Sequence, residues 1–318
     1  MAIHTILPTR ENLHGTFSRE YPPILTIEDG DTVVFQTLDA GWNREAEAQE
    51  NAKWDDPTRK FQPRDPEKDG GHALCGPVFV RGAEPGMTLE IGIGAIVPGT
   101  WGWTASGGWD SVFNRALGVA DIPGVYHNWT LDRESGRATN QHGHSVSLRP
   151  FMGVMGNAPH EPGFLSTAPP RTVGGNMDCK ELVSGTRLFL PVAVAGALFS
   201  VGDGHGAQGD GESSGTAIEC PMEKVEMTFR LRPDLKITTP RAETPSGWIT
   251  LGFDEDLNQA TFKALNAMIE LIGEHYGLER TDALALASLA VDLRVTQIVN
   301  GVQGVHALLP NGAIEIKR

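Results

Sequence analysis

Between Gly202 and Glu212 the chain places two aspartates, one glutamate, one histidine and one glutamine, each separated from the next by Gly or Ala. Small spacers open backbone conformations closed to larger residues, so the polar side chains can converge on one point. In an extended segment residues two apart share a face, which brings Asp203 beside His205; Asp210 and Glu212 repeat the spacing. Carboxylate with imidazole suits zinc, whereas carboxylates alone suit calcium or magnesium. The expected ligands of a divalent ion are Asp203, His205, Asp178 and Asp210, with zinc preferred and calcium the alternative.

Two further acids fall near this segment in sequence. Gly174-Gly175-Asn176-Met177-Asp178 is a tight turn delivering Asp178 as a ligand or base. Glu219 stands between Ile218 and Cys220 on an apparent strand, an unusual place for an acid unless it is paired or ligating. Glu219 is the preferred general base, and Asn176 and Gln208 are candidate hydrogen-bond donors to a developing oxyanion. Trp101 and Trp103 are candidates for the wall of a small pocket that His72 can reach. His142 and His144 form an HxH pair with no acid nearby, which reads as an exposed loop.

The elements that must position these residues are mainly strands. Apolar and polar residues alternate over Asp31–Leu38, Thr88–Ile93, Val225–Leu231 and Trp248–Phe253, and an apolar run, Leu188–Val194, leads toward the acidic segment. Helical periodicity comes late: Asp254 or Asp256 caps a segment burying Phe262, Leu265, Ile269 and Ile272 and ending near Gly277. Thr281-Asp282 starts a second helix burying Leu286, Leu289 and Leu293. The expected class is α+β and β-rich, with sandwich- or barrel-like sheets and two late amphipathic helices. One unit over residues 1–318 is expected, divisible into intimate subdomains at 1–160 and 161–318. Residues 43–71, rich in charge and proline, read as a long surface loop, a possible lid.

With 40 acidic against 26 basic residues the net charge is −14, which disfavours nucleic acid and anionic membranes as partners. No apolar run reaches the ~20 residues of a membrane span, and the first residues lack a secretory pattern. Three cysteines without a CxxC fit a reducing compartment, so a cytoplasmic location is expected. There is no Walker loop and no HExxH, and Gly211-Glu212-Ser213-Ser214-Gly215 lacks the setting of a serine nucleophile.

Gly174–Asp178, Leu190-Pro191-Val192, Gly196–Ser200 and Gly202–Glu212 together resemble the acetamidase/formamidase family. Gly76-Pro77-Val78, Gly82–Gly86, Pro150–Gly156, Asp292–Asn300 and Gly304–Ala307 extend the resemblance over nearly the whole chain. Cys75, Cys179 and the His142-Gly143-His144 pair depart from the family pattern. The resemblance implies a β-rich, metal-associated hydrolase converting short aliphatic amides to carboxylate and ammonia; a homo-oligomer is also expected, from exposed apolar strand edges. Two rival readings are a non-enzymatic calcium-binding β module and a metal-independent amidase using a carboxylate or Cys179 as nucleophile.

Overall fold

A computed structural model describes residues 1–45 and 59–315, and the counts below refer to these. Part of the expected surface loop, 46–58, lies outside them. The strands form a nine-stranded, a six-stranded and a four-stranded sheet, with a two-stranded ribbon. The nine-stranded sheet draws on both ends of the chain, from Ile3–Ile6 and Thr32–Thr37 through Met222–Arg232 and Thr88–Pro98 to Gly247–Asp254 and Gln303–Pro310. Period-two alternation places Val225, Met227 and Phe229 on one buried face. That face packs on the six-stranded sheet, where the Phe199 and Phe229 rings meet edge to face at 5.2 Å. Burying side chains of this kind contributes about 1.5–3 kcal/mol each.

The two late helices cover strands Gly247–Asp254 and Gln303–Pro310 of the large sheet; a third, short helix is Val112–Ala116. Asp256 caps Leu257–Tyr276 by accepting from the backbone N–H of Asn258 and Gln259, and Gly277 closes it in the left-handed region at φ 65°. Ala260, Ala264, Met268, Ile269 and Ile272 bury against Val305, Ala307 and Leu309. Phe262, expected on the buried face, is 61% exposed. The second helix, Arg280–Ala290, packs through Ala283 and Ala287, while Leu289 faces outward and Leu286 is half-buried; Leu293, expected on this helix, lies beyond its end on strand Asp292–Gln297 and is exposed. Small residues line the packing face because the helix packs on Leu257–Tyr276. The α+β, β-rich architecture is as expected, and no described helix is long and apolar enough to cross a membrane.

Two buried histidines make stability depend on pH. His14 bonds the Thr16 carbonyl at 2.7 Å and Ser200 Oγ at 3.0 Å, and burial lowers its pKa to about 4. Burial does the same to His306, whose Nδ1 lies 2.8 Å from Thr296 Oγ1. Both remain neutral in the fold at pH values where an unfolded histidine gains a proton. Their contribution is therefore complete above pH ~6.5 and is lost as the pH falls toward 4, by about 3 kcal/mol each at the lower limit. Between pH 7 and pH 5 the urea midpoint of His14→Gln should change less unfavourably than that of the wild type, because the variant lacks the imidazole that the unfolded chain protonates over this range. An unchanged pH dependence in that variant would contradict the assignment.

Candidate active site at the junction of the sheets

Glu219 lies on no strand. It forms single antiparallel bridges to Trp103 on one side and His205 on the other. Its backbone exchanges hydrogen bonds with Trp103 at 2.8 and 2.9 Å, while Cys220 donates to Gly204 and Gly206 to Ile218, both at 2.8 Å. This short stretch joins the four-stranded sheet, which carries Trp101–Ser106, to the six-stranded sheet, which carries Phe199–His205. A parallel bridge from Gly211 to Gln297 adds the edge of the nine-stranded sheet. The acidic segment is thus held where three sheets meet.

At that junction Asp178, Asp203, His205, Glu212 and Glu219 are all buried, none more than 6% exposed. Ligand atoms of Asp178, Asp203 and His205 lie within 4.8 Å of one another, as do those of His205, Glu212 and Glu219. His205 Nε2 stands 3.2 Å from Asp203 Oδ1 and 3.3 Å from Glu219 Oε2. On the other side of the ring, Nδ1 lies 2.9 Å from Gln208 Oε1, and Gln208 Nε2 donates to the Asp178 carbonyl at 2.8 Å. A carbonyl only accepts, so the Gln208 amide is oriented with Oε1 toward the imidazole. Nδ1 therefore carries a proton, and Nε2 faces the carboxylates.

Burial raises the Asp178 pKa to about 6 and that of Glu219 to about 7. Glu212 rises well above the ordinary range through burial and the nearby Asp178 charge. Burial opposes charge on His205 as well, yet Glu219 and Asp203 push its pKa well above the usual value. Asp203 is held low, against its own burial, chiefly by His205. One imidazolium does not neutralise four carboxylates.

Two buried oxygens, Asp178 Oδ1 and Glu219 Oε2, have no hydrogen-bond partner. The other oxygens of these side chains are engaged: Asp178 Oδ2 accepts from Asn300 at 2.6 Å, and Glu219 Oε1 from the Ala217 N–H at 2.8 Å. Gly153 faces the same point. A Cβ there would fall 2.5 Å from Asp203 Oδ2, 2.7 Å from Asp178 Oδ1 and 2.8 Å from His205 Cε1. Unpartnered anionic oxygens, one oriented imidazole nitrogen and a glycine that leaves room between them fit a divalent cation with mixed N and O ligands.

Asp210, expected among the ligands, instead pairs with Lys180 at 2.9 Å on the outside of the loop. Glu212 takes the inward place, because positive φ at Gly211 (96°) and Glu212 (45°) ends the extended alternation. Gln208, expected to meet an oxyanion, has its amide engaged with His205 and Asp178, so it orients the imidazole. Asn176 donates to the Ala168 carbonyl at 3.1 Å. A cleft of about 420 Å³ leads to Glu219 between Trp42, Trp103 and His72; Trp101 is not among the residues lining it. His72 Nδ1 is 2.8 Å from Thr167 Oγ1. Cys75 and Cys179 are buried with thiols pushed up to about 12, and Cys220 is buried and raised further, so a Cys179 nucleophile does not fit. Asn300 went unforeseen as a partner of Asp178.

The molecule is a β-sandwich protein with an acid–imidazole centre at a sheet junction. The chain belongs to the acetamidase/formamidase family, whose model matches residues 4–166 and 163–314. It is similar in structure to an acetamidase from Yersinia enterocolitica, with a TM-score of 0.83, 26% identity, and 98% of this chain and 93% of that one covered. An acetamidase from Bacillus halodurans gives 0.80, 26%, 98% and 97%. In sequence it is 29% identical over 198 residues to an acetamidase of Mycolicibacterium smegmatis, covering 44% of this chain and 48% of that protein. The matched stretches span 48 to 60% of the length of the first curated relatives.

Gly153→Ala should place a methyl group between Asp178, Asp203 and His205 and lower the uptake of a divalent ion at this centre while the protein stays folded. Metal analysis beside the thermal unfolding midpoint checks this. Undiminished metal uptake in a folded Gly153→Ala protein would contradict it.

Proposed function

We propose that this protein hydrolyses short aliphatic amides of the formamide and acetamide class to carboxylate and ammonia, assisted by a divalent ion. The observation carrying the reading is the buried set of Asp178, Asp203 and His205, with its orphaned oxygen and its shortage of positive charge. These three residues would hold the ion, and the mixed donors favour zinc over calcium. When bound, such an ion acts as a Lewis acid toward the amide carbonyl and increases the acidity of water.

The chain's own residues supply the rest. Gln208 locks the His205 tautomer, and Asn300 holds Asp178 by one oxygen. Glu219, with a pKa near 7, can take a proton from the attacking water and return it to the leaving nitrogen as the C–N bond breaks. The cleft beside Trp103 and His72 admits the amide. A substrate of so few heavy atoms gains at most about 1.5 kcal/mol of binding per atom, so weak affinity is expected.

Ammonia release from formamide, acetamide and propionamide should be lost on chelation and restored by zinc. Asp203→Ala and His205→Ala should each lower turnover by roughly a thousandfold in protein that is still folded at the assay temperature by circular dichroism. Near-normal turnover in both variants, or indifference to chelation, would overturn the metal-assisted reading.

Self-association is also proposed. Asp292–Gln297 is an outer strand of the nine-stranded sheet, and its Leu293 and Val295 are 46% and 37% exposed. Light scattering should give a mass above 34.2 kDa that falls in Leu293→Glu/Val295→Glu. A monomeric wild-type protein would refute it.

A further inference from the structure

Away from the acid centre, three imidazoles gather on the four-stranded sheet. His127 belongs to strand Val125–Asp132, which pairs antiparallel with Arg137–Asn140. Continuing the register from Asn140 opposite Trp129 puts residue 142 opposite His127. The turn is tied inward by Asn140, whose Oδ1 accepts the backbone N–H of His142 at 3.1 Å and of His144 at 2.9 Å. Ring centroids of His127 and His142 stand 5.6 Å apart, and those of His142 and His144 stand 6.3 Å apart. Two imidazoles bound through nitrogen at about 2.1 Å to one tetrahedral ion have centroids roughly 5 Å apart.

The HxH pair read in the sequence as an exposed loop thus gains a third histidine from the neighbouring strand. His127 Nδ1 is buried and has no hydrogen-bond partner. The ring nitrogens of the three do not all lie within 4.8 Å of one another here, and Asn140 Nδ2 lies 3.3 Å from His144 Nδ1; His142 and His144 are exposed, so rotation of their rings is what would bring a nitrogen from each toward His127.

We propose that His127, His142 and His144 form a second metal site, for a borderline divalent ion such as Zn²⁺, Ni²⁺ or Cu²⁺, separate from the acid centre. An all-imidazole set selects these ions over calcium and magnesium, and three protein ligands leave a fourth position for water. The site also adjoins a second cleft. The His127 ring meets Trp129 edge to face at 6.3 Å, and Trp129 lines a cleft of about 390 Å³ together with Gln208 and Glu212. An ion bound by the histidines therefore sits within reach of an indole that reports on it.

Zn²⁺ titration of the full chain by calorimetry tests this, with Cu²⁺ quenching of tryptophan fluorescence as a second readout. Wild-type protein should show a binding class that weakens at least tenfold in His142→Ala/His144→Ala and in His127→Ala but persists in Asp203→Ala. Copper quenching should decline in the same histidine variants. The double variant changes only exposed turn residues, so it keeps the test valid if His127→Ala fails to fold. Isotherms and quenching indistinguishable between wild type and the double variant would overturn the second site, whether or not the chain hydrolyses amides.

Discussion

The structure depends on an electrostatic constraint: four buried carboxylates share one imidazole. His205 is the only cationic side chain within ion-pair distance of Asp178, Asp203, Glu212 or Glu219 among the described residues. Leaving ionised carboxylates unpaired in an interior costs several kcal/mol each, even after relaxation. The centre must therefore hold protons, a cation or both, and the raised pKa values of Asp178, Glu212 and Glu219 express that demand.

Much of the surrounding backbone serves this centre. Six non-glycine residues have positive φ, and three of them are Asp178 (47°), Asp203 (59°) and Glu212 (45°). Each such conformation costs on the order of 1 kcal/mol or more for an L-residue and persists only where the surroundings impose it. Here they are imposed by three sheets, through the Glu219 bridges and the Gly211–Gln297 bridge. The turn from Gly209 to Glu212 is further held by the Gly211 N–H to the Thr296 carbonyl, at 2.9 Å. Strain and charge are concentrated in one place while the sandwich core around it follows ordinary alternation.

The parts legible in the sequence are those set by local pattern. Alternation over 31–38, 88–93, 225–231 and 248–253 falls within or on the strands 32–37, 88–98, 222–232 and 247–254, and of the two cap candidates Asp254 and Asp256 it is Asp256 that starts the long helix, which Gly277 closes. The density of acids beside His205 marked the centre, and Glu219 stood out as an acid among apolar neighbours. What escaped depended on tertiary placement. Spacing alone does not distinguish Asp210 from Glu212, because the choice is made by positive φ and by Lys180 drawing Asp210 outward. Asn300 reaches Asp178 across 122 residues, a pairing with no local signature. The second helix was misread on its leucines because its packing face is alanine, the residue that permits close approach to its neighbour.

The most direct test of the central claim is a crystal structure grown with zinc, with diffraction recorded on both sides of the zinc absorption edge. The account predicts an anomalous peak bounded by Asp178, Asp203 and His205 Nε2, beside Gly153. A centre with no peak, its carboxyl groups protonated and hydrogen-bonded directly to one another, would contradict it.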